Sequence, residues 1–171
     1  MNKDIVLIEL AALLKDSSVK TELSPILARV EQALAAPPLE PQSWEPVPLD
    51  VFGAALPDSI KSCWVFILRA GARFGAERHP NSHQRTVALR GSAVFETLED
   101  TTWAPRQIDA SGNGEGSSQS ISIPIGTWHR IRIGPENFVS FSFHTVPAHE
   151  LIEETLVSDD LSVTQKRLYH A

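Results

Sequence analysis

The chain has 171 residues, 42% hydrophobic and 21% charged, which suits one domain, or one domain plus an extension, with enough chain to bury a core. Fifteen Lys and Arg against 21 Asp and Glu give a formal net charge of −6 with no basic cluster, an argument against a nucleic-acid groove or an anionic membrane surface as partner. No apolar run approaches the ~18 residues that span a bilayer, no cleavage site follows the apolar stretch Ile5 to Leu14, and a single cysteine, Cys63, excludes an internal disulfide and any cysteine-cluster metal site. A cytoplasmic protein is the expectation.

Residues 1–36 read as a helical extension. A first helix is expected from about Ile5 to Leu14, broken around Asp16 to Ser18. A second carries Leu23, Ile26, Leu27, Val30 and Leu34 at helical spacing, with Ser24-Pro25 as a start signal. Neither is long enough to be stable alone, so both must pack on something. Residues 37–60 follow as a Pro-rich strap, with Pro37, Pro38, Pro41, Pro46 and Pro48 forbidding a helix and favouring an extended path along a surface.

From about Lys61 the pattern changes to short strands. Cys63 to Leu68 is apolar on both alternating faces, as in a strand covered on both sides. Further runs are Thr86 to Leu89, Ser92 to Thr97, Ile121 to Ile123, Trp128 to Ile133 and Phe138 to Val146, most of them separated by Gly, Pro, Asn or Asp. In the last run Val139, Phe141 and Phe143 alternate with Ser140, Ser142 and His144, so one face is expected buried and the other polar, with His144 at the surface or a subunit contact. Many short strands with turn residues between them predict an all-β domain of the jelly-roll kind over 61–147. A tail, 148–171, is expected to be partly helical around Glu150 to Leu156.

Two segments carry chemistry. In the first, Glu77 and His79 are two apart on extended chain and share a face, and Gln84 can return toward that face after the Pro80-Asn81-Ser82 turn. His83, one residue from Gln84, should then face the opposite way. In the second, His129 follows a Pro124-x-Gly126 turn and heads a strand whose same-face residues, Ile131 and Ile133, are apolar. A histidine in that line is buried and needs a partner. The aromatic residues Trp64, Phe66, Trp128, Phe138, Phe141 and Phe143 read as ordinary core. Of the arginines near both segments, one at the barrel mouth is a candidate to hold a carboxylate or phosphate.

These segments resemble the motifs of the cupin family. The first family motif, Gly-x5-His-x-His-x3–4-Glu-x6-Gly, is met as Gly71-x5-Glu77-x-His79-x4-Gln84-x6-Gly91. The second, Gly-x5-Pro-x-Gly-x2-His-x3-Asn, is met at Pro124, Gly126 and His129, with Ser118 and Ile133 in place of its first and last residues. The resemblance implies a double-stranded β-helix and a divalent metal (iron, manganese, nickel or zinc). Carried over residue by residue, the ligands would be Glu77, His79 and His129, with the Gln84 amide as a weak fourth ligand or a hydrogen-bond donor to bound water. Glu77 replaces the family's first histidine and Gln84 its glutamate, so a metal-free polar pocket stays open beside the metal site.

The resemblance also implies a small-molecule metalloenzyme, dioxygenase-like before isomerase-like. The alternative is a non-catalytic ligand-binding or regulatory barrel. A sugar-nucleotide epimerase is disfavoured because the only tyrosine, Tyr169, lies in the tail. A homodimer is expected, with the two-faced apolar strand Cys63 to Leu68 suited to the seam.

Overall fold

The computed structural model describes residues 4–112, 116, 118–157 and, for the backbone alone, 164–168. Part of the Gly/Ser-rich 111–118 loop and the tail around Tyr169 lie outside the described residues. Among the described residues, two α-helices, α1 (Ile5–Leu13) and α2 (Ser17–Ala35), precede eleven strands: β1 (Gln42–Pro46), β2 (Ser62–Leu68), β3 (Glu77–Arg78), β4 (Gln84–Arg90), β5 (Ser92–Glu99), β6 (Thr102–Asp109), β7 (Ser120–Ile123), β8 (His129–Ile133), β9 (Phe138–His144), β10 (Ile152–Leu156) and β11 (Thr164–Leu168). They form two antiparallel sheets, one in the order β1-β2-β9-β4-β7 and the other β11-β10-β3-β8-β5-β6. No described helix is long and apolar enough to cross a membrane.

The five-stranded sheet is covered on both faces. Val65, Val139, Phe141 and Phe143 point outward and pack under Leu10, Leu23, Ile26 and Val30 of the helices. The side chains between them point into the barrel. A second apolar cluster, with Phe95, Ile133 and Phe138, fills one end of that interior. Cys63, Val65 and Ile67 lie in the helix-packed cluster, so the outer face of β2, expected at a dimer seam, is taken by the chain's own helices.

Four further expectations need correction. The second helix starts at Ser17, where the Asp16 carboxylate accepts from the amides of Ser18 (2.8 Å) and Val19 (3.2 Å), and Pro25 sits inside it. A proline there removes one helical hydrogen bond, but the stripe Val19, Leu23, Ile26, Val30 and Leu34 is fully buried and that packing prevails. The Pro-rich segment is partly sheet, since β1 pairs with β2 from Gln42↔Leu68 to Pro46↔Trp64. Proline is tolerated because β1 is an edge strand. The tail is strand, not helix: a short 3₁₀ turn at Ala148–Glu150 leads into β10, which pairs with β3. Both sheets thus reach beyond the 61–147 span. His144 is 3% exposed, because β9 is central and its polar face is the barrel interior rather than solvent.

The Asp4 carboxylate fastens α1 to the barrel. It caps the helix at the Leu7 amide (3.2 Å) and accepts from Arg85 Nε (2.8 Å) and Ser122 Oγ (2.7 Å). Burial pushes its pKa up, but the hydrogen bonds from Ser122, Arg85 and Leu7 outweigh burial and hold it below the ordinary value. A carboxyl depressed in the folded state contributes stability above its unfolded pKa, which fades as pH falls through its folded one. Asp4→Asn should therefore cost about 1–2 kcal/mol near pH 7, and clearly less below about pH 3. Urea unfolding of both proteins at the two pH values checks this, and an equal loss at both would contradict it.

Candidate functional site

The site lies at the polar end of the barrel interior. Glu77 on β3 pairs directly with His129 on β8, and His79 follows two residues after Glu77. Across the interior, Gln84 on β4 pairs with His144 on β9. The second motif's turn is fastened to the first: the Gly126 amide donates to the His79 carbonyl at 2.9 Å. Gly126 has φ +73°, a conformation glycine adopts freely. Gly91, closing the first motif, has φ +75°, and a Cβ there would lie 2.5 Å from the Asn137 carbonyl oxygen.

One donor atom each from Glu77, His79 and His129 lies within 4.8 Å of the others. Both rings are held by their outer nitrogens. His79 Nδ1 donates to the Ile152 carbonyl at 3.0 Å and His129 Nδ1 to the Thr127 carbonyl at 3.1 Å. A carbonyl only accepts, so each neutral ring carries its proton on Nδ1 and presents a bare Nε2 lone pair inward. Among the described residues, His129 Nε2 is buried with no hydrogen-bond partner, and the nearest carboxylate oxygen, Glu77 Oε1, is 3.4 Å away. Two lone pairs cannot bond each other, so this contact asks for a cation or a second proton on His129.

Gln84 adds a fourth donor atom, an amide oxygen. Its amide nitrogen donates to Thr86 Oγ1 at 3.1 Å, and Thr86 in turn meets Ser142 Oγ at 3.0 Å. That fixes the amide so that the buried Oε1 is turned to the interior beside His79.

Burial dominates the electrostatics. It lowers His79, with the charge of His129 adding and that of Glu77 opposing. It holds His144 well below the ordinary imidazole value, with His79 and His129 adding to it. Burial would raise Glu77, but the close approach of His129, the charge that it and His79 carry when protonated, and a hydrogen bond with Glu153 together pull it below the ordinary carboxylate value. Burial thus favours neutral rings at His79 and His144, the neighbours of Glu77 favour its anion, and a neutral ring beside a carboxylate is what a metal requires.

His83 faces away from Gln84, with Nε2 2.7 Å from Ser122 Oγ. Trp64 and Phe66 line the cavity instead of serving only as core, whereas Phe141 and Phe143 lie in the core under the helices. Two site residues escaped the sequence reading. His144 stacks edge-on against His79 at 4.8 Å between ring centroids. Glu153, 1% exposed, hydrogen-bonds Glu77, and its place on the same face as Thr155 of β10 was hidden by the helical expectation. Burial also pushes the Cys63 thiol far up, leaving it inert.

No protein-family model matches the sequence, and no curated protein does. Among solved structures, the chain is similar to an oxalate decarboxylase–formate complex from Lactobacillus farciminis, with a TM-score of 0.51, 17% identity, and coverage of 68% of this chain and 32% of that one. It is similar to pumpkin seed globulin, with a TM-score of 0.52, 19% identity, and coverage of 71% and 31%. A glycolate complex of recombinant oxalate oxidase matches with a TM-score of 0.48, 11% identity, and coverage of 66% and 53%. The chain therefore spans between about a third and a half of the length of these proteins. The fold is that of the cupins, a mostly β sandwich preceded here by two helices. Its interior holds a His/Glu cluster with the donor set of a metal site.

Proposed function

We propose that this protein is a metal-dependent small-molecule enzyme in which Glu77, His79 and His129 hold one divalent ion, with Gln84 Oε1 beside it. The observation that carries the reading is the buried, partnerless His129 Nε2 aimed at Glu77, its tautomer fixed by the Thr127 carbonyl. Two imidazoles and one carboxylate with open positions are a donor set typical of non-haem Fe(II), which favours dioxygenase-like over isomerase-like chemistry. Such an ion would supply Lewis acidity and, as iron, a place for O₂ to react. The chain's own part is to orient the two rings, hold the Gln84 amide through Thr86 and Ser142, and exclude water with the aromatic wall of Trp64 and Phe66.

Plasma mass spectrometry of untagged protein, as purified and after anaerobic reconstitution, tests the reading. About one iron, manganese, nickel or zinc per chain is expected. Protein that takes up no metal under either condition would overturn it, leaving a ligand-binding barrel with His129 and Glu77 as an ion pair.

Gln84→Glu should raise metal affinity about tenfold or more, because a charged oxygen replaces a neutral one and the Thr86 hydroxyl, which accepts from the Gln84 amide, can turn to donate to the carboxylate. Competition with a chelator measures the change, and an unchanged or weaker affinity would place Gln84 outside the ligand set.

A further inference from the structure

The two ligands of the first motif are held from outside by one strand. β3 is two residues long and meets β8 at a single pair, Glu77↔His129. On its other side β10 runs antiparallel to it, with Thr155 opposite Glu77 and Glu154 opposite Arg78. Side chains alternate along a strand, so Glu153 shares a face with Thr155 and Glu77, and Glu154 shares the other with Arg78. The contacts follow that order. The Ile152 carbonyl accepts from His79 Nδ1 at 3.0 Å, Glu153 hydrogen-bonds Glu77, and Glu154 Oε2 accepts from Arg78 Nε at 2.6 Å. Main-chain amides of β10 close both ends: Leu156 donates to the Ala76 carbonyl at 3.0 Å and Ile152 to Asn81 Oδ1 at 3.1 Å.

Glu153 is set apart in this row. Glu154 faces a cation, Arg78, whose guanidinium lies 4.6 Å from the centre of the Trp128 ring, on the face opposite the ligands. Glu153, 1% exposed, faces another carboxyl group. Among the described residues the donor cluster is Glu77, His79 and His129, and Glu77 and His79 line the cavity where Glu153 does not. Glu153 therefore stands behind Glu77 and is not itself a ligand. Two carboxyl groups hydrogen-bond only with a proton between them. Glu77 is the anion of the metal centre, with Oε1 toward His129 Nε2 at 3.4 Å, so the O–H belongs to Glu153. A carboxyl group this deep is costly unless hydrogen-bonded, and here that bond goes to a ligand.

We propose that Glu153 is a positioning residue of the metal centre. It donates a hydrogen bond to the Glu77 carboxylate and, with the Ile152 carbonyl on His79, makes β10 the outer support of two of the three ligands. Such support fixes a ligand's orientation before the ion arrives, so that binding need not order it. The role rests on the metal-centre reading, whereas the contact between Glu153 and Glu77 is part of the fold.

The test titrates full-length protein with Co²⁺, whose visible absorption reports its ligands, and follows thermal unfolding of the metal-free forms alongside. Two variants remove the donor, Glu153→Met at nearly the same volume and Glu153→Ala leaving a gap, and whichever folds carries the test. Each should weaken Co²⁺ binding about ten- to a hundredfold and shift the absorption bands. Glu153→Gln keeps an N–H donor and should stay within about threefold of wild type with unchanged bands. Glu154→Gln weakens the grip on Arg78 without touching a ligand, and should also stay within about threefold, whatever it costs in stability. Wild-type affinity in the donorless variants overturns the role of Glu153 and leaves the metal centre standing. Equal losses in Glu153→Gln and the donorless variants overturn it too, since the charge and not the donor would then be in use. A Glu154→Gln loss as large as theirs likewise overturns it, by showing that strand pairing in general is what binding needs. Wild-type protein that binds no Co²⁺ overturns the metal-centre reading, and the role of Glu153 with it.

Discussion

Replacing His129 with alanine should weaken metal binding by more than about a hundredfold. Removing a partner that merely orients a ligand already costs ten- to a hundredfold, and this change removes a donor whose inward lone pair has no other use in the fold. Thr127 and the Pro124-x-Gly126 turn would still be in place, and Gly126 would still hold the His79 carbonyl. Glu77 would keep His79 but lose the neighbour that does most to hold its pKa down, so the remaining pair is a poor site. The comparison is His83→Ala, which alters a histidine turned toward Ser122 and away from the cavity. Metal content after reconstitution, with a chelator titration, gives both values. A His129→Ala protein that retains wild-type affinity would remove this residue from the centre, whereas equal losses in the two variants would point to a general loss of stability.

The parity of strands made the site legible in sequence. Glu77 and His79 share a face because they are two apart, and His129 leads an apolar alternation, and in the structure donor atoms of all three converge. His83 was set apart from Gln84 by the same one-residue argument. The differences between expectation and structure have a common cause, which is that a polar face on a strand need not face solvent. Ser140, Ser142 and His144 alternate with phenylalanines and look like an outer face, yet the outer face is the aromatic one, because helices cover it. The barrel interior is the polar side, since a site must keep hydrogen-bonding groups there. Composition along one strand cannot choose between these, as both faces of a central strand are buried and the choice depends on where α1 and α2 dock. Residues 150–156 misled for a similar reason. Their acidic residues suggest an exposed helix, but Glu154 pairs with Arg78 at 2.6 Å and Glu153 lies against Glu77, so both carboxylates are buried by tertiary partners.

That inverted sheet makes a strong demand on the helices, and Phe141→Ala measures it. Phe141 is fully buried on central β9, paired with Val65 on one side and Val87 on the other, on the face beneath the helices. Truncation should destabilise the protein by about 3–5 kcal/mol, the transfer cost of the ring plus the cost of the cavity left behind. Neighbouring strands fix the backbone on both sides, so the gap cannot close by a shift of β9. Ser140→Ala, one residue earlier and on the cavity face, removes a hydroxyl with no side-chain hydrogen bond among the described residues and should change stability by less than about 1 kcal/mol. If Phe141→Ala cost under about 1 kcal/mol in urea unfolding, the helices would not be packed on this face. The expected contrast between adjacent residues means that the fold rests on the outer, helix-covered face of the sheet. The inner face is then free to carry Gln84, Thr86, Ser142 and His144 for the site rather than for stability, which is how a barrel of this size keeps a polar interior without losing its core.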